Sequence, residues 1–176
     1  MFLVALILIV LLLGLVLFAG WMVKTARRLD RLHVRRDLAW QALIAALDRR
    51  ALVARAFAAQ LGPQGAELAR LAREAETAAV STEAGQTGAG AGREQLESEL
   101  SVMLAGAASG SLPDQLAEER ADAEARVRFA RSFYNEAVRD TLALRTRPAV
   151  RLFRLAGSAP LPNYFEIVEG LGRRAE

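Results

Sequence analysis

From Met1 to Val23 the chain carries no charged side chain, and Lys24, Arg27 and Arg28 follow immediately. At about 1.5 Å per residue, Phe2 to Val23 forms a helix of roughly 33 Å, enough to cross a hydrocarbon core of about 30 Å. Gly14 and Gly20 are tolerated in membrane helices, and Trp21 stands where an interfacial anchor belongs. A cleaved signal peptide would need a basic flank before a shorter apolar run, with small residues at the cut. Leu17-Phe18-Ala19 is a poor cleavage site, so residues 1–23 read as a retained transmembrane anchor. The competing outcome is a secreted or periplasmic helical binding protein released by signal cleavage.

Beyond the anchor the apolar positions keep a helical period. Leu29, Leu32, Trp40, Leu43, Leu47, Ala54, Phe57 and Leu61 recur at steps of three and four, one face of a helix continuous with the membrane segment. Arg36 and Arg50 interrupt that face and are expected to snorkel at its edge, the alternative being ion pairs with acids on a facing helix. Gly62-Pro63 stops the helix. A shorter helix follows over about 65–79, with Leu68, Leu71 and Ala75 on one side. A glycine-rich connection, 81–92, leads to a third helix over about 94–107, with Leu96, Leu100, Met103 and Leu104 apolar. Its glycines lack the Lys-Ser/Thr pair and preceding strand of a phosphate loop, so it reads as a flexible connection. Pro113, with Asp114 in the first turn, opens the longest soluble helix, which runs to about Arg145. Leu116, Ala123, Val127, Ala130, Tyr134, Ala137 and Thr141 form its stripe.

The predicted fold class is therefore all-α: a transmembrane helix continuing into an antiparallel four-helix bundle, long–short–short–long. The anchor takes 1–23, the bundle 24–147, and a basic, apolar C-terminal tail 148–176. Three reversals return that tail toward the membrane. Tyr134 lies on the apolar stripe with Asn135 beside it, and the pair is expected to form a polar clasp that fixes helix register.

Charge sets the orientation. Residues 24–61 hold nine Lys or Arg against three Asp, although the whole chain of 176 residues nets only +3. The positive-inside tendency places the helical domain in the cytoplasm and the N-terminus outside the cell membrane. Lys24, Arg27, Arg28 and Arg31 would lie against head groups, and Arg151 and Arg154 are membrane-surface candidates in an amphipathic tail segment. That tail carries a further alternative, a peripheral lipid-surface-binding module. Nearly every basic residue is arginine and alanine is abundant, the bias of a GC-rich genome. Aromatics do not interleave with the arginines, so nucleic acid is not an expected partner.

Reaction chemistry has little to build on. There is no cysteine, which removes disulfides, thiol catalysis and cysteine-ligated metal. His33 is the single histidine and reads as a solvated surface residue; one imidazole supplies neither a histidine metal site nor a Ser-His triad within one chain. Glu118-Glu119 and the Glu74/Glu76 pair read as solvated faces. No catalytic residue, cofactor or metal is expected.

The run Arg128-Phe129-Ala130-Arg131-Ser132-Phe133-Tyr134-Asn135-Glu136-Ala137-Val138-Arg139-Asp140 resembles the most recognisable segment of the LemA family. Ala39-Trp40 followed by Leu47-Asp48-Arg49-Arg50, and the late Tyr164-Phe165-Glu166, support the likeness, as does the long–short–short–long pattern after an anchor. Two departures thin any shared polar network. Ala125 stands where the family usually has asparagine, and Thr141-Leu142 replaces a second tyrosine-asparagine pair. The resemblance implies a single-span bacterial membrane protein with a helical domain and transfers no catalytic residue. Together these readings give a membrane-anchored helical scaffold or adaptor, self-associating through helix faces and organising envelope partners.

Overall fold

The computed structural model describes residues 1–80, 89–107, 113–156 and 161–167. The described residues hold five α-helices and no strand: α1 (Phe2–Gln60), α2 (Ala66–Val80), α3 (Ala89–Ala107), α4 (Asp114–Arg145) and α5 (Pro148–Leu152). A four-residue 3-10 turn, Gly62–Gly65, joins α1 to α2.

α1 is one uninterrupted helix of 59 residues, so the apolar segment and the amphipathic one share a single axis. Their surroundings differ sharply. Met1 through Leu17 are exposed throughout, whereas Leu43, Leu47, Ala51, Ala54 and Phe57 are completely buried. Within one helix, the change from all-round apolar to one-sided apolar sequence divides a span-length stretch from the part that builds a core. The bare segment is long and apolar enough to cross a membrane. Left in water, it would expose far more contiguous apolar surface than the few hundred Å² that soluble monomers tolerate.

The corner after α1 depends on two glycines. Gly62 has φ +59°, the left-handed conformation that ends helices and that side chains with a Cβ resist. Gly65 has a different role, because a Cβ there would fall on the Ala58 carbonyl. Its missing side chain lets the start of α2 lie directly on the last turns of α1.

α4 packs along α1 in the opposite sense. Leu29 shares a cluster with Leu144, Arg35 bonds Asp140 at 3.1 Å, and Trp40 lies 5.1 Å from Tyr134. Pro113 and Asp114 begin α4 and Arg145 sits in its last turn, which matches side-chain charge to the helix dipole at both ends. Away from the apolar segment, Phe57, Leu68, Leu71, Leu100 and Leu104 form a core drawn from α1, α2 and α3. Each such side chain contributes about 1.5–3 kcal/mol by leaving water.

Several expectations change in detail. α3 begins at Ala89, so Gly90 and Gly92 lie within a helix; 81–88 of the glycine-rich connection are outside the described residues. Within the C-terminal segment, Val150, Phe165 and Ile167 are all buried. Arg50, expected at the edge of a stripe, is buried instead, and the cause lies on α3.

There Glu97 is fully buried and pairs with Arg50, while Arg50 Nη1 donates to Ser101 Oγ at 2.7 Å and Nη2 to the Glu97 carbonyl at 3.1 Å. Arg93, also with no exposed surface, reaches Glu97 at 3.3 Å and Asp48 at 3.0 Å. Two guanidinium groups thus share one buried carboxylate, with Asp48 balancing the charge at the rim. Such a network fixes how α3 sits on α1, because any slip strands a charge in the interior. Glu97→Gln should lower stability by about 3–5 kcal/mol, the scale for breaking a buried pair. Thermal unfolding of the full chain in detergent checks this, and a melting temperature equal to the parent's would contradict the network's role.

Candidate functional site

Two regions gather the polar and charged side chains singled out by sequence: a clasp on α4, and the junction where α5 meets the apolar part of α1.

The clasp forms because Tyr134 and Asn135 follow one another on α4 and point about 100° apart. Tyr134 is buried against Trp40, and its hydroxyl donates to the Asn163 carbonyl at 3.0 Å. Asn135 meets one residue twice: its side-chain amide donates to the Phe165 carbonyl at 3.0 Å and its carbonyl accepts from the Phe165 N–H at 2.9 Å. A primary amide has a donor and an acceptor side by side, so it can imitate a neighbouring strand. Arg131 donates to the Ile167 carbonyl at 3.0 Å, and the Glu166 N–H donates to Glu94 of α3 at 3.1 Å. An extended strap, 161–167, is thereby bonded through its main chain to α4 and α3. Phe165 plugs it down, fully buried with its ring centroid 5.9 Å from that of Trp40. The groups held by Tyr134 and Asn135 are main-chain atoms of the strap, not another helix.

Burial raises the pKa of Tyr134, so its hydroxyl stays a donor at neutral pH. Burial also raises the pKa of Glu94, against the Glu166 N–H that favours its charged form. A cleft beside the strap is lined by Arg128, Ser132, Arg139 and Tyr164 among others.

The junction is built differently. α4 ends at Arg145, and Pro148 starts α5 one turn closer to the apolar segment. Val150 packs on Leu29 and Leu144. Phe153 then reaches Phe18, with ring centroids 4.9 Å apart at 67°, while Phe18 stacks on Trp21 at 6.0 Å. α5 closes with paired bonds, Leu155 N–H to Val150 carbonyl at 3.1 Å and Arg154 N–H to Arg151 carbonyl at 3.2 Å. This is the Schellman pattern, and Leu155 packs near Val150 as that pattern favours. Its left-handed position is usually glycine, yet Arg154 holds it with φ +49°. Arg151, Leu152 and Arg154 are exposed. Lys24, Arg27 and Arg31 line a groove on α1 with Gly20, Val23 and Asp30, and Arg28 is exposed beside them.

His33 is half-buried, not a solvated surface group. Its Nε2 is buried without a partner among the described residues, and its pKa is lowered by burial first, then by Arg36 and Arg145. Among the described residues no three His, Asp or Glu side chains converge to hold a metal ion. Sequence reasoning missed the strap, and it favoured a snorkelling Arg50 over the ion pair with a facing helix that the structure holds. For Arg50 the signal was present, an arginine in the middle of an apolar stripe; for the strap only the aromatic pair Tyr164-Phe165 marked it.

Comparison of the chain with protein-family models, curated proteins and solved structures gives no match.

Tyr134→Phe should cost about 1 kcal/mol, one hydrogen bond, and Asn135→Leu about twice that. Both should speed amide exchange at Phe165, measured by hydrogen–deuterium exchange. Unchanged protection of the strap in either variant would contradict the clasp.

Proposed function

We propose that this chain is a membrane-anchored helical scaffold, of the kind its resemblance to the LemA family implies, with no catalytic role. The observation that carries the reading is α1: a bare span-length segment and the main strut of the core are one unbroken helix. A domain so joined cannot swing freely, and its orientation to the bilayer follows from the helix itself. The antiparallel long–short–short–long bundle is the unit held there. The basic stretch from Lys24 to Arg36 favours a cytoplasmic domain with the N-terminus outside.

Self-association is the part of the proposal that involves partners. Phe129 and Phe133, one turn apart on α4, are 66% and 60% exposed, and aromatic anchors of this kind carry most of the energy in protein interfaces. Other envelope proteins could use the same face.

Because the chain has no cysteine, single-cysteine variants are unambiguous probes. In native membranes, Arg126→Cys on the Phe129 face should form a disulfide-linked dimer under mild oxidation, and Phe129→Ser with Phe133→Ser should abolish it. A species that stays monomeric under oxidation would overturn self-association. The full-length chain should remain with the membrane pellet after alkaline carbonate washing; recovery in the supernatant would overturn the anchor.

A further inference from the structure

The junction carries an inference about lipid. We propose that α5 and the turn that closes it form a foot on the bilayer surface, with Arg151 and Arg154 engaging the phosphates of anionic lipid head groups. The proposal rests on the reading of α1 as a membrane span.

Position is the first argument. Phe18 lies within the span and Trp21 near its end, so the Phe18–Phe153 contact at 4.9 Å puts Phe153 at the boundary between acyl chains and head groups. α5 ends at Leu152, the residue immediately before Phe153. Its apolar residues divide by direction: Val150 is buried in the core, whereas Leu152 is 76% exposed and Phe153 40%. An exposed leucine and phenylalanine flanked by arginines is wasteful in water and suited to an interface. This face is also continuous with the bare surface of α1.

Charge is the second argument. Elsewhere, Arg35, Arg55, Arg70, Arg120 and Arg126 each hold a carboxylate, while Arg49, Arg73, Arg128 and Arg139, dispersed over α1, α2 and α4, have no ion pair among the described residues. At the junction, Lys24, Arg27, Arg28, Arg31, Arg147, Arg151 and Arg154 have no ion pair among the described residues. Asp30 is the sole acid of 20–36, and 145–156 contain none. A cluster of unpaired cations at one level of a spanning protein fits the phosphates found at that level.

The backbone of Arg154 is the third. A Schellman turn is satisfied by glycine at lower conformational cost, because the left-handed region crowds a Cβ. Among the described residues the Arg154 side chain makes no hydrogen bond or ion pair. Its φ of +49° sets Arg154 at the close of α5, directly after Phe153, whose ring meets Phe18 of the apolar segment. The fold therefore keeps an arginine where glycine would close the turn more easily, and a phosphate ligand explains the choice.

The test uses the full chain in vesicles of phosphatidylcholine alone and of phosphatidylcholine with phosphatidylglycerol at three to one. A nitroxide at Leu152→Cys reports depth through its relative accessibility to oxygen and to a water-soluble nickel complex. In the mixed vesicles it should sit at head-group depth, and it should be shallower in phosphatidylcholine alone. Arg154→Gly should reduce the seated population about fivefold, the effect of one charge near an anionic surface, while the melting temperature holds or rises. That opposition separates lipid contact from a structural role, which would lower both. A label at Leu152 that is aqueous in both vesicles, or equally seated in both, would overturn the foot. So would an unchanged seated population in Arg154→Gly. A second label at Leu12→Cys separates the two readings. Deep at Leu12 but aqueous at Leu152 refutes the foot alone, whereas aqueous at Leu12 refutes the span.

Discussion

The unbroken backbone of α1 is the constraint on which everything else in this protein depends. Helices of this length usually draw stability from a partner along their whole course. Here the stretch from Leu29 onward packs on partners, whereas Met1 to Leu17 is exposed among the described residues. The hydrogen-bonded ladder continues across that change without a glycine or proline break where Val23 gives way to Lys24. Every other element is placed relative to this rod: α4 runs back along it, α2 folds onto it at Gly65, and α3 is tied to it by charge. The end of α4 consequently arrives beside Leu29, and α5 carries the chain on until Phe153 meets Phe18.

Two polar devices give the packing its uniqueness. Alanine and leucine dominate the helix contacts, and such surfaces tolerate sliding by a turn more readily than a shaped aromatic core does. The Arg50–Glu97–Arg93 network opposes sliding of α3 on α1, because its carboxylate has no alternative partner in the interior. Asn135 performs the equivalent task for the strap by bonding both main-chain atoms of Phe165. The strap in turn links α4 to α3 through the bond from the Glu166 N–H to Glu94. Buried polar groups of this kind add little net stability, and their effect is to penalise alternatives.

The helices were legible because their signals are local. Gly62-Pro63, the Pro113-Asp114 start and the stripe from Leu29 to Leu61 each depend on neighbours a few positions away. Tyr134 was legible as a polar residue on a buried stripe with Asn135 beside it, but their partners lie 29 and 30 residues on, in a segment without periodicity. The fate of Arg50 could not be decided from α1 alone, since snorkelling and burial differ only by what faces it, and Glu97 is one of many acids on a charged helix. His33 was misplaced for a related reason: a basic neighbourhood suggests solvent, while its half-burial arises from the return of α4. Arg154 was legible as a membrane-surface candidate, but not as the residue that closes α5, because no local signal marks that position.

The central claim is that the apolar segment and the strut of the core form one rigid helix. Nitroxides at Leu15→Cys and Leu38→Cys, both on exposed positions of α1, bracket the boundary between the two halves. In lipid vesicles, a continuous helix predicts a narrow distance distribution centred at about 35 Å, from a rise of about 1.5 Å per residue. A broad distribution, or one centred well below that value, would show a hinge at the membrane boundary and contradict the account.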